Sequence, residues 1–425
     1  AKTNLILWLT QLYNKAYLKS DWNNVISYGK EMLSYEPSRN DLNIIVWFSY
    51  WKIENFKEAK IYYQYALNNA TKSTDIDSIN ESLSAVKLAE KRFELKKNPP
   101  SKDPLSYVQY YLQSLNVPAA WSKVTKSNEV IVAIIDDGVF LNHPDLSDKI
   151  WINPNAKYGS SKIIDFVGDK ISNLTTGQHG TMIAGIIGAT INNSEGIAGI
   201  AKNVKFMPLR VFDFDGKASD ENIIRAMNFA IDNGANIINL SLWWSQFTNY
   251  SEKYDSVIKR AYEKGIIVVI AAGNGDVLSN SETGLDLSIN PISPVCNNNG
   301  NTTYSIGVFA FDEAGFRTRW SNWNWCVAFW APGEWIISTS IPVFNKEYGD
   351  NYNKEDGTSF SAPMITGIIA LWYNQYGWIS PKIIRASLSE SLIKNSVWNY
   401  LIDASKYLDA LESRLALIKN EQIQH

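Results

Sequence analysis

Two rhythms of apolar and polar positions divide the chain. From residue 1 to about 97, apolar and aromatic residues recur every three or four positions, as in LILWLTQLYNKAYL, WNNVISYGKEML, LNIIVWFSYWKI and FKEAKIYYQYAL. That is the period of one face of an α-helix, so the region reads as helical throughout. Further on, short runs that are apolar at every position appear: VIVAII, VKFMPLRVF, ANIINLS, GIIVVIAA and YSIGVFA. Amphipathic stretches such as DENIIRAMNFAIDNGA and SEKYDSVIKRAYEKG separate them. Strands apolar on both faces, alternating with helices, predict a parallel sheet of seven or so strands covered on both sides. Between the two rhythms lies KKNPPSKDP, polar and carrying three prolines, which cannot continue a helix and reads as a linker. The expected organisation is a helical domain over 1–97, a linker over 98–104, an α/β domain over 105–411 and a tail over 412–425.

The helical region repeats on itself. Asp21/Asn55, Trp22/Phe56, Val25/Ala59, Tyr28/Tyr62 and Leu33/Leu67 pair at one fixed offset, the period of about 34 residues that marks tetratricopeptide units. Pro37 closes the first unit. The region thus resembles a short tetratricopeptide array, and an ordinary helical bundle is the alternative. Such arrays bind partner segments on a concave face, so a protein partner is expected here.

Composition narrows the function classes. Forty Lys and Arg against forty-three Asp and Glu leave no charge excess to draw nucleic acid or an anionic membrane. No apolar run reaches the roughly 18 residues of a membrane span. The opening AKTNLILWLT is a poor signal peptide, without a clear cleavage site, and the chain begins with Ala, as it would after removal of a leader. Cys296 and Cys326 are the two cysteines; one bridge or two free thiols both fit.

In a parallel sheet, chemistry gathers at the carboxyl ends of the strands, and the informative residues fall there. VIVAIIDDGV runs a strand into Asp136. GQHGTMIAGIIGA puts His179 at the start of an apolar helix. VVIAAGNGD ends a strand at Asn274, just after Gly273, and EDGTSFSAPMITGIIALW puts Ser359 at a helix N-terminus behind Gly357. An acid, a base, an amide donor and a hydroxyl are the parts of acyl transfer through a tetrahedral intermediate. A serine hydroxyl needs an imidazole to take its proton, and a carboxylate on the far ring nitrogen fixes the tautomer. The oxyanion needs preorganised donors, which the Asn274 amide and the Ser359 N–H can supply.

These motifs, in the order Asp, His, Asn, Ser, resemble the subtilisin-like serine peptidases. PAAW, LNHPDL, HGTMIAG, APGE and GTSFSAP carry the resemblance over about residues 103–411. It implies an endopeptidase with Ser359 as nucleophile, His179 as general acid and base, Asp136 as its orienter and Asn274 as oxyanion donor. Substrates are proteins or peptides, and the chemistry needs no cofactor. Structural calcium, held by loop carboxylates, is a habit of the family; Asp213 and Asp215 in FDFDG are candidates. An extracellular or cell-envelope location follows from the family's secretory habit, with cytoplasmic members as the alternative. Asp137 stands where most relatives carry Ser or Thr, although the kexin-like branch also has DDG. His143, in NHPDL, reads as structural, and Ser361 falls on a structural Ser/Ala position.

Tryptophan disturbs this picture. The strand-end motif of the resembled family is Ser-Leu-Gly-Gly; here it is Ser241-Leu242-Trp243-Trp244. With Gly273, this segment is expected to line the substrate subsites, where glycine lets an extended peptide approach the backbone. Two indoles there would narrow or shut the cleft. Trp335 and Trp378 also stand where glycine is expected, and Trp47 where a repeat wants a small residue. One cause covers all of them: a host codon meaning Gly, written as Trp. The alternative is true divergence, giving a restricted cleft or a scaffold that binds partners through the repeats without catalysis.

Overall fold

The computed structural model describes residues 2–70, 93–154, 162, 164–168, 177–213, 215–242, 250–275, 283–297, 304–324, 326–342, 348–394 and 400–423. Trp243, Trp244 and His425 lie outside these residues. The chain forms two compact units, residues 1–98 and 99–425.

The first unit contains α1 (Lys2–Leu18), α2 (Trp22–Tyr35), α3 (Asn40–Lys52) and α4 (Phe56–Asn68), each packed on the next. The repeat pairs do matching work. Asp21 caps α2 by accepting from the Asn24 N–H, and Asn55 caps α4 by accepting from the Glu58 N–H, both at 3.3 Å. Each satisfies a donor that the helix start leaves unpaired. Val25 and Ala59, one turn further on, are both buried. Gly29 allows α2 and α3 to close up, since a Cβ there would lie 2.4 Å from Val46 Cγ2. Trp47 is buried in this core, and its indole N–H has no partner among the described residues.

The second unit is built on seven strands: β1 (Val130–Asp136), β2 (Ile164–Asp165), β3 (Val204–Arg210), β4 (Ile237–Leu240), β5 (Ile267–Ala271), β6 (Ser305–Phe311) and β7 (Phe329–Pro332). All pair in parallel, in the order β2-β3-β1-β4-β5-β6-β7. Two small antiparallel pairs follow: β8 (Ile336–Thr339) with β9 (Tyr352–Glu355), and β10 (Leu392–Lys394) with β11 (Tyr400–Ile402). The helices are α5 (Tyr110–Ser114), α6 (Val117–Lys123), α7 (Gln178–Gly188), α8 (Asp220–Asp232), α9 (Lys253–Glu263), α10 (Thr358–Tyr376), α11 (Pro381–Glu390) and α12 (Ala404–Ile423).

Successive side chains of a strand point to opposite faces, and β1 divides accordingly. Val132 and Ile134 enter one core with α7 and α10, while Ala133 and Ile135 enter another with α8 and α9. The expectation of strands buried on both faces is met. α10 is the buried spine of the unit, with every residue from Thr358 to Asn374 buried. Two short edge strands, β2 and β7, escape sequence reading. β2 has two residues, and β7 ends in Pro332, which cannot donate to a ladder and suits an edge.

Several finer expectations meet the structure differently. From Ser101 onward, the stretch read as a linker is tied down: Asp103 is buried and accepts from the N–H groups of Asn192 and Ser194, and the Leu105 N–H donates to Gly196 O at 2.7 Å. α12 continues to Ile423, into the region read as a tail. The two cysteines, left open by sequence, form a disulfide, Cys296–Cys326. Asp213 and Asp215 do not present a calcium cage. Asp213 accepts from the Lys217 N–H at 2.7 Å to close a tight turn, and the exposed Asp215 faces the Lys217 ammonium at 4.0 Å. Among the described residues, no cluster of three His, Cys, Asp or Glu side chains is arranged to hold a metal.

The tryptophans separate into two kinds. Trp335 has φ +59° and is 53% exposed, a left-handed backbone that bulky residues rarely adopt and glycine takes freely. Trp378 packs its ring over Gly265 and donates its indole N–H to that residue's carbonyl at 3.1 Å. Only the first stands on backbone that calls for glycine.

Candidate active site

The sheet order reverses around β1, whose two neighbours are β3 and β4. Such a switch point opens a crevice beyond the carboxyl ends of the strands. Asp136 is the last residue of β1, Ser241 follows β4, and Gly273 and Asn274 follow β5. α7 and α10 bring His179 and Ser359 to the same place from their N-termini.

Asp136 is fully buried, and both its oxygens accept from His179 Nδ1, at 2.8 and 3.0 Å. Nδ1 therefore carries the proton and Nε2 is left as the base. Burial alone would lower the His179 pKa, but the charge and hydrogen bond of Asp136 outweigh it, and the net shift is upward. The start of α7 can lie against the end of β1 because position 180 is glycine: a Cβ there would come within 2.1 Å of Gly138 O.

Asp137 finishes this corner. Its Oδ1 accepts from the Gly180 N–H at 2.8 Å and its Oδ2 from the His179 N–H at 3.1 Å. The carboxylate thus caps α7 from the neighbouring strand. Burial and the adjacent Asp136 push its pKa up to about 7. Sequence reading noted Asp137 as unusual but gave it no work.

Ser359 is 2% exposed, and its hydroxyl donates to Ser241 O at 3.2 Å. Asn274 is oriented by Thr358, whose N–H and hydroxyl both donate to Asn274 Oδ1, at 3.0 and 2.8 Å. Nδ2 is the donor end of this amide, on a residue that lines the cleft. Thr358 Oγ1 in turn accepts from the Gly273 N–H at 3.0 Å. This orienting role of Thr358 was missed in the sequence, although GTS had been singled out for the serine. The cleft is about 440 Å³ and is lined by His179, Asn274 and Ser359 together with Asp137, Glu355 and Phe360.

Other residues singled out in the sequence lie as follows, Trp243 and Trp244 being outside the described residues. Ser241 and Leu242 are buried, and Ser241 meets Ser359 twice: its carbonyl accepts from the Ser359 hydroxyl at 3.2 Å and its own hydroxyl donates to the Ser359 carbonyl at 2.8 Å. Gly273 has φ +93°, with Asn322 packed behind it. Ser361 is buried and donates to Pro332 O, away from the cleft. His143 is also buried, with Nε2 on Asn351 O at 2.8 Å and Nδ1 accepting from the Asp145 N–H, as a structural histidine would be.

Comparison with known proteins agrees with this frame. The Subtilase family profile matches residues 127–409. The chain is 32% identical to the thermophilic serine proteinase of Bacillus sp. (strain AK1) over 63% of its length and 58% of the relative's. To thermitase of Thermoactinomyces vulgaris it is 30% identical, over 70% of this chain and 92% of that one. Among solved structures, a protease from Pseudoalteromonas arctica PAMC 21717 superposes with TM-score 0.56 and 26% identity, covering 73% of this chain and 99% of its own. A cold-adapted subtilisin-like serine proteinase gives TM-score 0.51 at 26% identity, over 65% and 88% of the two chains. The fold defines a protein of the subtilisin-like class. This chain belongs to the subtilase family.

Proposed function

We propose that the chain hydrolyses peptide bonds within extended segments of proteins, with Ser359 as nucleophile, His179 as general base and acid, Asp136 as its orienter and Asn274 as oxyanion donor. The observation that carries this reading is the direct pairing of His179 Nδ1 with Asp136 at the wall of the cleft that also holds Ser359 and Asn274.

At rest the Ser359 hydroxyl donates to Ser241 O. Rotation about its Cα–Cβ bond turns the proton toward His179 Nε2, which takes it as Oγ attacks the scissile carbonyl. Asp136 then stabilises the imidazolium. The oxyanion is met by Asn274 Nδ2, aimed by Thr358, and by the Ser359 N–H at the N-terminus of α10. His179 returns the proton to the leaving amine, and water repeats the cycle on the acyl-enzyme. The Ser241–Trp244 backbone and Gly273 are the proposed path of the substrate strand.

A buried disulfide suits an oxidising compartment, so we place the enzyme outside the cytoplasm. None of the described helices is long and apolar enough to cross a membrane. Residues 1–97 are proposed to bind a protein partner, in keeping with their helix-pair repeat. The test is hydrolysis of casein, an unstructured protein, by this chain beside Ser359→Ala. Cleavage lost in the variant is the expected result; cleavage that persists in it would overturn the assignment.

A further inference from the structure

The strand β4, Ile237–Leu240, is apolar except for Asn239. Asn239 faces the α10 side with Ile237, is fully buried, and sits in the most enclosed part of the sheet. A buried amide in such a strand is costly unless every polar atom is used, and a local rule broken in this way marks functional positions.

Its bonds run in one direction. Thr366 Oγ1 donates to Asn239 Oδ1 at 2.8 Å, Asn239 Nδ2 donates to Ser241 Oγ at 2.8 Å, and Ser241 Oγ donates to the Ser359 carbonyl at 2.8 Å. All four residues are buried. The chain begins on α10, crosses β4 and returns to α10 seven residues earlier, at the nucleophile.

The need for it is written into the helix. The carbonyl of Ser359 should accept from the N–H of residue 363, four positions on. That residue is Pro363, which has no N–H. The carbonyl of the nucleophile is therefore orphaned by the sequence, and the Ser241 hydroxyl supplies the missing donor. A hydroxyl has one proton to give. The Ser359 carbonyl can only accept, so Ser241 donates to it, Asn239 turns its Nδ2 to Ser241, and the Thr366 hydroxyl donates to the Oδ1 that this orientation leaves buried. Without the Thr366 hydroxyl, the amide can turn over. Its oxygen would then draw the Ser241 proton away from Ser359.

We infer that Thr366 and Asn239 are positioning residues for the reaction, acting through Ser241 to hold Ser359 and the first turn of α10 in register with His179 and Asn274. The inference rests on Ser359 being the nucleophile. Thr366→Val keeps the volume and removes the donor; Thr366→Ser restores it. The expected result is a kcat lowered roughly tenfold in Thr366→Val, with KM within about twofold, and recovery in Thr366→Ser. A misplacement of 1 Å can cost about 10²-fold, which bounds the effect. Because Thr366 acts only through Ser241, Thr366→Val should add no further loss in a Ser241→Ala background. Amide exchange over residues 359–362 should speed up in Thr366→Val, while the later turns of α10 stay protected.

A wild-type kcat in Thr366→Val, additive losses in the double variant, or equal damage in Thr366→Val and Thr366→Ser would each overturn the inference. Should Thr366→Val fail to fold, Ser241→Ala carries the same kcat and exchange expectations. Hydrolysis lost in Ser359→Ala but intact in Thr366→Val removes this inference alone. Hydrolysis that survives Ser359→Ala removes the nucleophile and the inference with it.

Discussion

At the scale of single residues, the site is a set of charges whose balance can be read as pH dependence. His179 must be neutral to accept a proton, and Asp136 raises its pKa against the pull of burial. The acid limb of kcat/KM is therefore expected above the ordinary histidine value of about 6.5. Asp137 adds a second carboxylate to the same corner. Asp137→Asn removes its charge and should move that limb to lower pH; an unmoved limb would show that Asp137 is neutral whenever His179 titrates. The same residue affects stability with a definite sign. Its folded pKa is raised to about 7, so the folded state holds a proton that the unfolded state releases near pH 4. Stability from this group is full below that value and is lost as pH rises toward 7. Asp137→Asn loses one of the two cap acceptors at every pH, so its melting temperature relative to the unmodified chain should be more favourable at pH 8 than at pH 5. Asn274→Leu should cost about 10²–10³ in kcat with little change in KM, read by steady-state kinetics. Asp136, His179, Asn274 and Ser359 could be named from sequence because each stands at a strand end or helix start, within two residues of a glycine, in a motif that resembles the family's; their catalytic roles are the proposal made above. Thr358, Asn239 and Thr366 were not. Their roles depend on which hydrogen bond each side chain makes, and spacing along a chain does not encode that.

Elements were legible in proportion to how strongly burial marks them. β1, β3, β4, β5 and β6 are apolar on both faces and stood out; β2 and β7 lie at the edges and did not. The helix-pair repeat was legible because its caps are spaced as its cores are. Asp21→Ala or Asn55→Ala should each cost about 1 kcal/mol in urea unfolding of the whole chain. Trp335 makes the opposite prediction. An indole at φ +59° strains a backbone that glycine would occupy freely. Among the described residues its indole gains the Lys354 ammonium, 4.0 Å from the ring centroid on an exposed surface, while its backbone N–H bond to Asp356 would be kept by glycine. Trp335→Gly should leave the melting temperature unchanged or raise it, whereas a residue that belongs there would be missed. Trp243 and Trp244 lie outside the described residues, and peptide mass spectrometry of the native protein reads directly whether they are tryptophan.

At the scale of the molecule, the chain divides into two compact units, residues 1–98 and 99–425. What sequence could not give was the anchoring of residues 101–105, since it is made by a loop about ninety residues away. The disulfide was equally hidden, because two cysteines thirty positions apart say nothing of their separation in space. Replacing both with Ala should destabilise the fold by up to about 3.6 kcal/mol, as closing a loop of this size implies. The central claim is that one serine, activated by one histidine, performs the chemistry. A fluorophosphonate reacts with a serine only where such activation exists, and its attachment point can be mapped by peptide mass spectrometry. The account predicts one equivalent of label on Ser359, lost in His179→Ala with the fold intact. Label on another residue, or none on a folded chain, would contradict it.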